Sequence, residues 1–84
     1  MKETAIVEFF NCLDRKKTEI EVPLHITTND LVLALNEAFG LGMKTEDIFS
    51  CYLIAENPIA FLRGNKTLEE FGIRNGSLII YKRY

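Results

Sequence analysis

Residues 67–84, "TLEEFGIRNGSLIIYKRY", decide how this chain folds. Thr67 to Ile73 reads as one helical turn closed by Gly72, and Asn75-Gly76 reads as a tight turn. Ser77 to Arg83, "SLIIYKR", is apolar and β-branched, which suits a strand. A strand needs partners, so the question passes to what lies upstream.

Immediately upstream, "CYLIAE" (51–56) makes another strand, ended by the turn signal Asn57-Pro58. "IAFLR" (59–63) reads either as a short strand returning before Gly64-Asn65 or as a loop folded over a sheet face. Further back, "TTNDLVLALNEAFGLG" (27–42) carries Leu31, Leu35, Ala38 and Phe39 at helical spacing, with Val32 at the stripe's edge. Thr27 and Asp30 have the spacing of a capping box, and Gly40 and Gly42 are natural terminators. Leu33 falls on the polar side with Asn29, Asn36 and Glu37. At the start, "TAIVEFF" (4–10) suits a strand, "NCLDRKK" (11–17) a polar turn, and "TEIEV" (18–22) a second strand with Ile20 and Val22 on one face. Pro23, which cannot donate to a ladder, ends it.

The predicted order is strand, strand, helix, strand, short strand, turn, strand. A hairpin that crosses over through a helix makes the first and last strands central neighbours. That is an α+β fold of the β-grasp type: a mixed four- to five-stranded sheet with one main helix across one face. No linker, repeat or low-complexity segment divides residues 1–84, which read as a single domain.

The bulk numbers narrow the function. At 84 residues, 48% hydrophobic and 26% charged, the chain is too apolar for disorder. A net charge of -2 gives no basis for nucleic acid or anionic membrane as a partner. The first residues, "MKETAIVE", have no apolar run before their first acid, so no signal peptide is expected. The longest apolar run, Leu31–Leu35, is far below a spanning length, so membrane insertion is not expected either. A soluble, cytoplasmic protein follows as the expectation.

The helix entry, the Leu53-Ile54 strand and the terminal "TLEEFGIRNGSLIIYK" resemble ubiquitin's layout over essentially the whole chain. Among ubiquitin-like families the sequence most resembles the small YukD/EsaB proteins of bacterial type VII secretion loci. It shares their ending at Leu68, Gly72-Ile73, Asn75-Gly76 and Leu78. The resemblance implies a cytoplasmic accessory component of secretion, with a protein of the secretion machinery as partner. Ubiquitin-like modifiers and sulfur carriers differ in needing a flexible Gly-Gly tail, whose narrow carboxylate enters an adenylating active site. The sequence here closes on Lys82-Arg83-Tyr84, so conjugation is not expected.

Strand alternation supplies the candidate site. With Ala5, Val7 and Phe9 facing the helix, Ile6, Glu8 and Phe10 face outward. With Leu53 and Ala55 inward, Tyr52, Ile54 and Glu56 point out. With Leu78 and Ile80 taken as inward, Ile79 and Tyr81 point out. The expected protein-binding patch is therefore Ile6, Phe10, Tyr52, Ile54, Ile79 and Tyr81, for a protein partner or for a second copy in a homodimer.

Chemistry-bearing residues are sparse. His25, the only histidine, has neither nucleophile nor acid beside it in sequence and reads as a surface-loop residue. Cys12 and Cys51 have no metal-binding spacing, and a disulfide between them is not expected because the last strand separates them by roughly 10 Å. Glu46-Asp47 and Glu69-Glu70 read as solvated charges, the latter pair favouring a helical-turn dipole. Neither has calcium-loop spacing, and the helix's glycines follow it where a phosphate loop would precede one. No catalytic residue, metal or cofactor is expected.

Overall fold

The computed structural model describes residues 3–44, 46 and 51–82. Five strands and one helix follow the chain as β1 (Thr4–Asn11), β2 (Lys16–Pro23), α1 (Thr28–Phe39), β3 (Leu53–Glu56), β4 (Ala60–Leu62) and β5 (Leu78–Tyr81). The β-branched ends of the chain meet in the middle of the sheet, whose order is β2-β1-β5-β3-β4. β1 and β2 form an antiparallel hairpin from Thr4↔Pro23 to Asn11↔Lys16. β5 lies parallel to β1 and antiparallel to β3, and β4 closes the far edge as a short antiparallel strand. This is the α+β, β-grasp fold read from the sequence, with five strands.

The helix begins where its cap dictates. Thr27 is extended, and its Oγ1 accepts the Asp30 N–H at 3.2 Å, satisfying one of the donors a helix start leaves open. Gly40 closes the other end at φ 61°, where a Cβ would be strained. The buried stripe is Thr28, Leu31, Val32 and Leu35, and Val32, at the stripe's edge by spacing, is fully buried. Ala38, which the spacing put in the stripe, is exposed because the buried stripe reaches round to Thr28 and Val32, on the side away from it. Phe39 reaches over the sheet instead, its ring centroid 4.8 Å from that of Phe9.

One core unites the layers. Ala5, Val7 and Phe9 of β1, Leu53 and Ala55 of β3, and Leu62 of β4 pack with the helix's Leu31, Val32 and Leu35. The turn after Lys66 is held by a capping box: Thr67 N–H donates to Glu70 Oε1 and Glu70 N–H donates to Thr67 Oγ1, each at 3.2 Å. Its Leu68 is fully buried, and Leu68 N–H donates to Ile26 O. The Asn75-Gly76 turn is stitched to β1, since Ile6 N–H donates to Asn75 Oδ1 at 2.7 Å and Gly76 N–H to Ile6 O at 3.0 Å. Those bonds fix the register of β5.

That register corrects one expectation. Ile79 and Tyr81 join the core, at 0% and 7% exposure, and Leu78 and Ile80 lie on the opposite side of the strand, where Ile80 is itself buried at 8%. Residues opposed across a sheet share a face. Phe9, which is inward, lies opposite Ile79, and Glu8, which is outward, lies opposite Leu78. Tyr81 is buried with its hydroxyl donating to Leu41 O at 3.1 Å. Among the described residues, no helix is long and apolar enough to cross a membrane.

Candidate outer-face docking site

The side of the sheet away from the helix is set by β1, whose even-numbered positions all point there. Phe10 is opposed by Ile80 on β5, Ile80 by Ile54 on β3, and Ile54 by Phe61 on β4. Four apolar side chains therefore form one cross-strand row over four strands, spaced by about 4.8 Å per strand. Phe61 is the most open of them, at 62% exposure, because β4 is the sheet's edge. Lys17, opposite Phe10, ends the row on β2.

Toward the start of β1 the next row is acidic. Glu19 opposes Glu8, Glu8 opposes Leu78, and Leu78 opposes Glu56. Glu8 reaches sideways to the Lys17 ammonium at 3.4 Å. In the opposite direction the register, carried one residue past the strand ends, sets Tyr52 between Lys82 and Arg63. Tyr52 and Phe61 meet edge-to-face at 5.7 Å, and with Arg63 they line a cleft of about 200 Å³. The β1–β2 turn brings Arg15 to this same end of the face.

The expected patch is thus redrawn. Phe10, Tyr52 and Ile54 lie together on the outer face. Ile6 is also on that side and 41% exposed, but the Glu8 row separates it from the others. Ile79 and Tyr81 leave the patch for the core, Phe61 joins it, and Ile80, 8% exposed, fills the row between Phe10 and Ile54. Residues 59–63 do not fold over the face: Ala60–Leu62 are a strand in the plane of the sheet. Phe61 was legible as part of the patch only once that strand was paired.

Elsewhere the fold supplies what the chain's neighbours did not. His25 Nδ1 lies 3.1 Å from Glu69 Oε2 and its Nε2 3.6 Å from Glu3 Oε1, all three side chains being exposed. Their ligand atoms fall within 4.8 Å of one another, a spacing open to a metal. An imidazole coordinates through one nitrogen, however, and here each nitrogen already faces its own carboxylate. The cluster is a surface contact of one imidazole with two carboxylates, ionic only when the imidazole is protonated. Cys12 and Cys51 are not joined in a disulfide, and Cys51 is buried with its Sγ 3.3 Å from Lys44 O.

The comparisons with known proteins agree with this fold. The model of the family described as "WXG100 protein secretion system (Wss), protein YukD" matches residues 6–80. The solved ubiquitin-like domain of a tubulin-binding cofactor B superposes with a TM-score of 0.73 at 20% identity, over 95% of this chain and 89% of that one. The C-terminal ubiquitin-like domain of mouse tubulin-specific chaperone e gives 0.72 at 14%, over 94% and 84%. The Trypanosoma brucei tubulin-binding cofactor B gives 0.61 at 15%, over 93% and 92%. At such identities the likeness speaks for the fold alone. No curated protein matches the chain.

Proposed function

The chain belongs to the YukD family, and from that premise we propose that it is a non-catalytic, cytoplasmic accessory component of bacterial type VII (WXG100) secretion. Its work is to dock onto a protein partner in the secretion machinery. The working surface is the outer sheet face, and the observation that carries this reading is the row Phe10–Ile80–Ile54–Phe61. A sheet covered by one helix ordinarily turns a polar face to water, with alternation of apolar inside and polar outside. Here an apolar row runs across four strands and ends on a phenylalanine that is 62% exposed. Contiguous apolar surface rimmed by charge marks a protein contact.

The test is complementation in a bacterium that carries this gene and its secretion locus. Phe61→Asp, with its fold checked by circular dichroism, is expected to abolish export of the system's substrates, whereas Glu37→Lys on the exposed side of α1 leaves export intact. Full export with Phe61→Asp would sink the reading.

A further inference from the structure

The charges beside the apolar row follow a pattern that singles out one occupant. The outer face is banded along the strand direction. Glu19, Glu8 and Glu56 lie on one side of the Phe10–Ile80–Ile54–Phe61 row, and Arg15, Lys82 and Arg63 lie at the other end. The banding has a local cost, because Glu8 and Glu19 are directly opposed on one face and like charges so placed repel. Lys17 answers Glu8, but among the described residues no ion pair answers Glu19 or Glu56.

We propose that a second copy of this chain covers the face, paired about a two-fold axis that runs along the apolar row. The inference rests on the reading of this face as the working surface and names its occupant in the free protein. Two packed faces can be related by an axis lying along the row or by one lying along the strands. The axis along the strands sets acid band on acid band. The axis along the row lays the apolar row on its own copy and reverses the strand direction, so that each acid band meets the partner's basic band. Glu56 then comes over the partner copy's Tyr52, flanked by its Lys82 and Arg63. Glu8 and Glu19 come over the partner copy's Cys12 and Arg15, which relieves the opposed carboxylates. The arrangement is isologous, as closed homodimers require.

The size of the face sets the strength. The molecule measures 32 × 26 × 22 Å, so only part of one 32 × 26 Å outline can pair. Such a footprint is at most of standard size, about 800 Å² per partner, and with its middle residue already buried the dimer is weak, with a Kd on the order of 10 μM or above. A weak pair keeps the apolar row from water and gives way when a secretion partner binds the same face.

The geometry makes an unusual demand that sedimentation equilibrium can read. The protein is measured from about 10 μM to about 1 mM, spanning the expected Kd, as wild type, as Glu56→Lys, as Arg63→Glu, and as an equimolar mixture of the two variants. Circular dichroism confirms that each variant is folded. Wild type should dimerise, and each variant alone should associate at least about tenfold more weakly, because reversal sets like charges against each other at both ends of the two-fold. The mixture should recover most of the wild-type association, since reversed position 56 then meets reversed position 63 and only Lys82 is left facing a like charge. High salt should weaken the wild-type dimer.

A wild type that stays monomeric at 1 mM overturns the proposal, as does a dimer indifferent to both reversals or a mixture that fails to recover. Monomeric wild type together with export lost in Phe61→Asp would leave the docking function standing with a different occupant. Recovery in the mixture together with normal export in Phe61→Asp would uphold the pairing and sink the docking function.

Discussion

The two faces of this sheet share large apolar residues and do opposite things. On the inner face Val7, Phe9, Leu53, Ala55, Ile79 and Tyr81 are buried against the helix layer. On the outer face Ile6, Phe10, Ile54, Ile80 and Phe61 lie among Glu8, Glu56 and Lys17. The presence of large apolar residues alone does not separate them. The difference is what covers each face: inside, a helix placed by its own caps; outside, charges in bands with an apolar row between them. The inner face stores most of the folding energy, and the outer one, though it buries Ile80, leaves Phe61 open to contact.

Adjacent residues of β3 test this most severely. Leu53 is fully buried, and Leu53→Ala should cost about 3 kcal/mol through lost transfer energy and a cavity. A domain of this length holds on the order of 5–10 kcal/mol in all, so the variant should denature at a much lower urea concentration. Ile54, its neighbour on the other face, is only half-buried, and Ile54→Ala should cost about 1 kcal/mol or less. Equal losses at the two positions would mean that the faces are not energetically distinct.

Tyr81 sharpens the contrast at the level of a single atom. Its hydroxyl donates to Leu41 O inside the protein. Tyr81→Phe keeps the ring but leaves a buried carbonyl without its partner, at a cost of about 1–2 kcal/mol. A surface tyrosine would lose nothing measurable, so urea denaturation of this one variant checks which face position 81 occupies.

Position 81 also shows where the sequence stopped being legible. The fold could be read because three local signals agreed: the helical stripe after Thr27, the Gly40 terminator, and β-branched runs at both ends of the chain. The facing of β5 could not be read in the same way. "LIIY" is apolar at every position, so a shift of one residue leaves its hydrophobic pattern intact. Ser77 hides the answer further, because a serine reads as surface yet is fully buried. Its hydroxyl donates to Asn57 O at 2.7 Å and accepts the Arg74 N–H at 3.0 Å, so burial leaves no polar group unmatched. Lys82 was the usable signal, since its exposure puts Ile80 and Leu78 outward with it. The His25 cluster was invisible for a different reason. Glu3 and Glu69 are far from His25 in sequence, and only the approach of the Thr67 turn to the strand ends brings them together.

The inner face depends on the helix being held in place, and Thr27 is where that begins. Thr27→Ala removes the side-chain acceptor for Asp30 N–H and should cost about 1 kcal/mol. Thr27→Asn or Thr27→Ser should restore most of it, because either supplies an oxygen at the same place. If alanine and serine prove equivalent by urea denaturation, the cap is not what positions the helix over the sheet.

The smallest expected effect on stability falls at Phe61. It is an edge-strand residue with most of its ring in water, and its described ring contact is Tyr52 at 5.7 Å. Phe61→Ser should therefore change the urea midpoint by no more than about 0.5 kcal/mol would. The same change removes the most accessible apolar group in the row, so association through the outer face should weaken while stability holds. A large loss of stability would show that Phe61 supports the fold, placing the outer face with the inner one. Little change in stability with association lost is what a surface kept for contact requires.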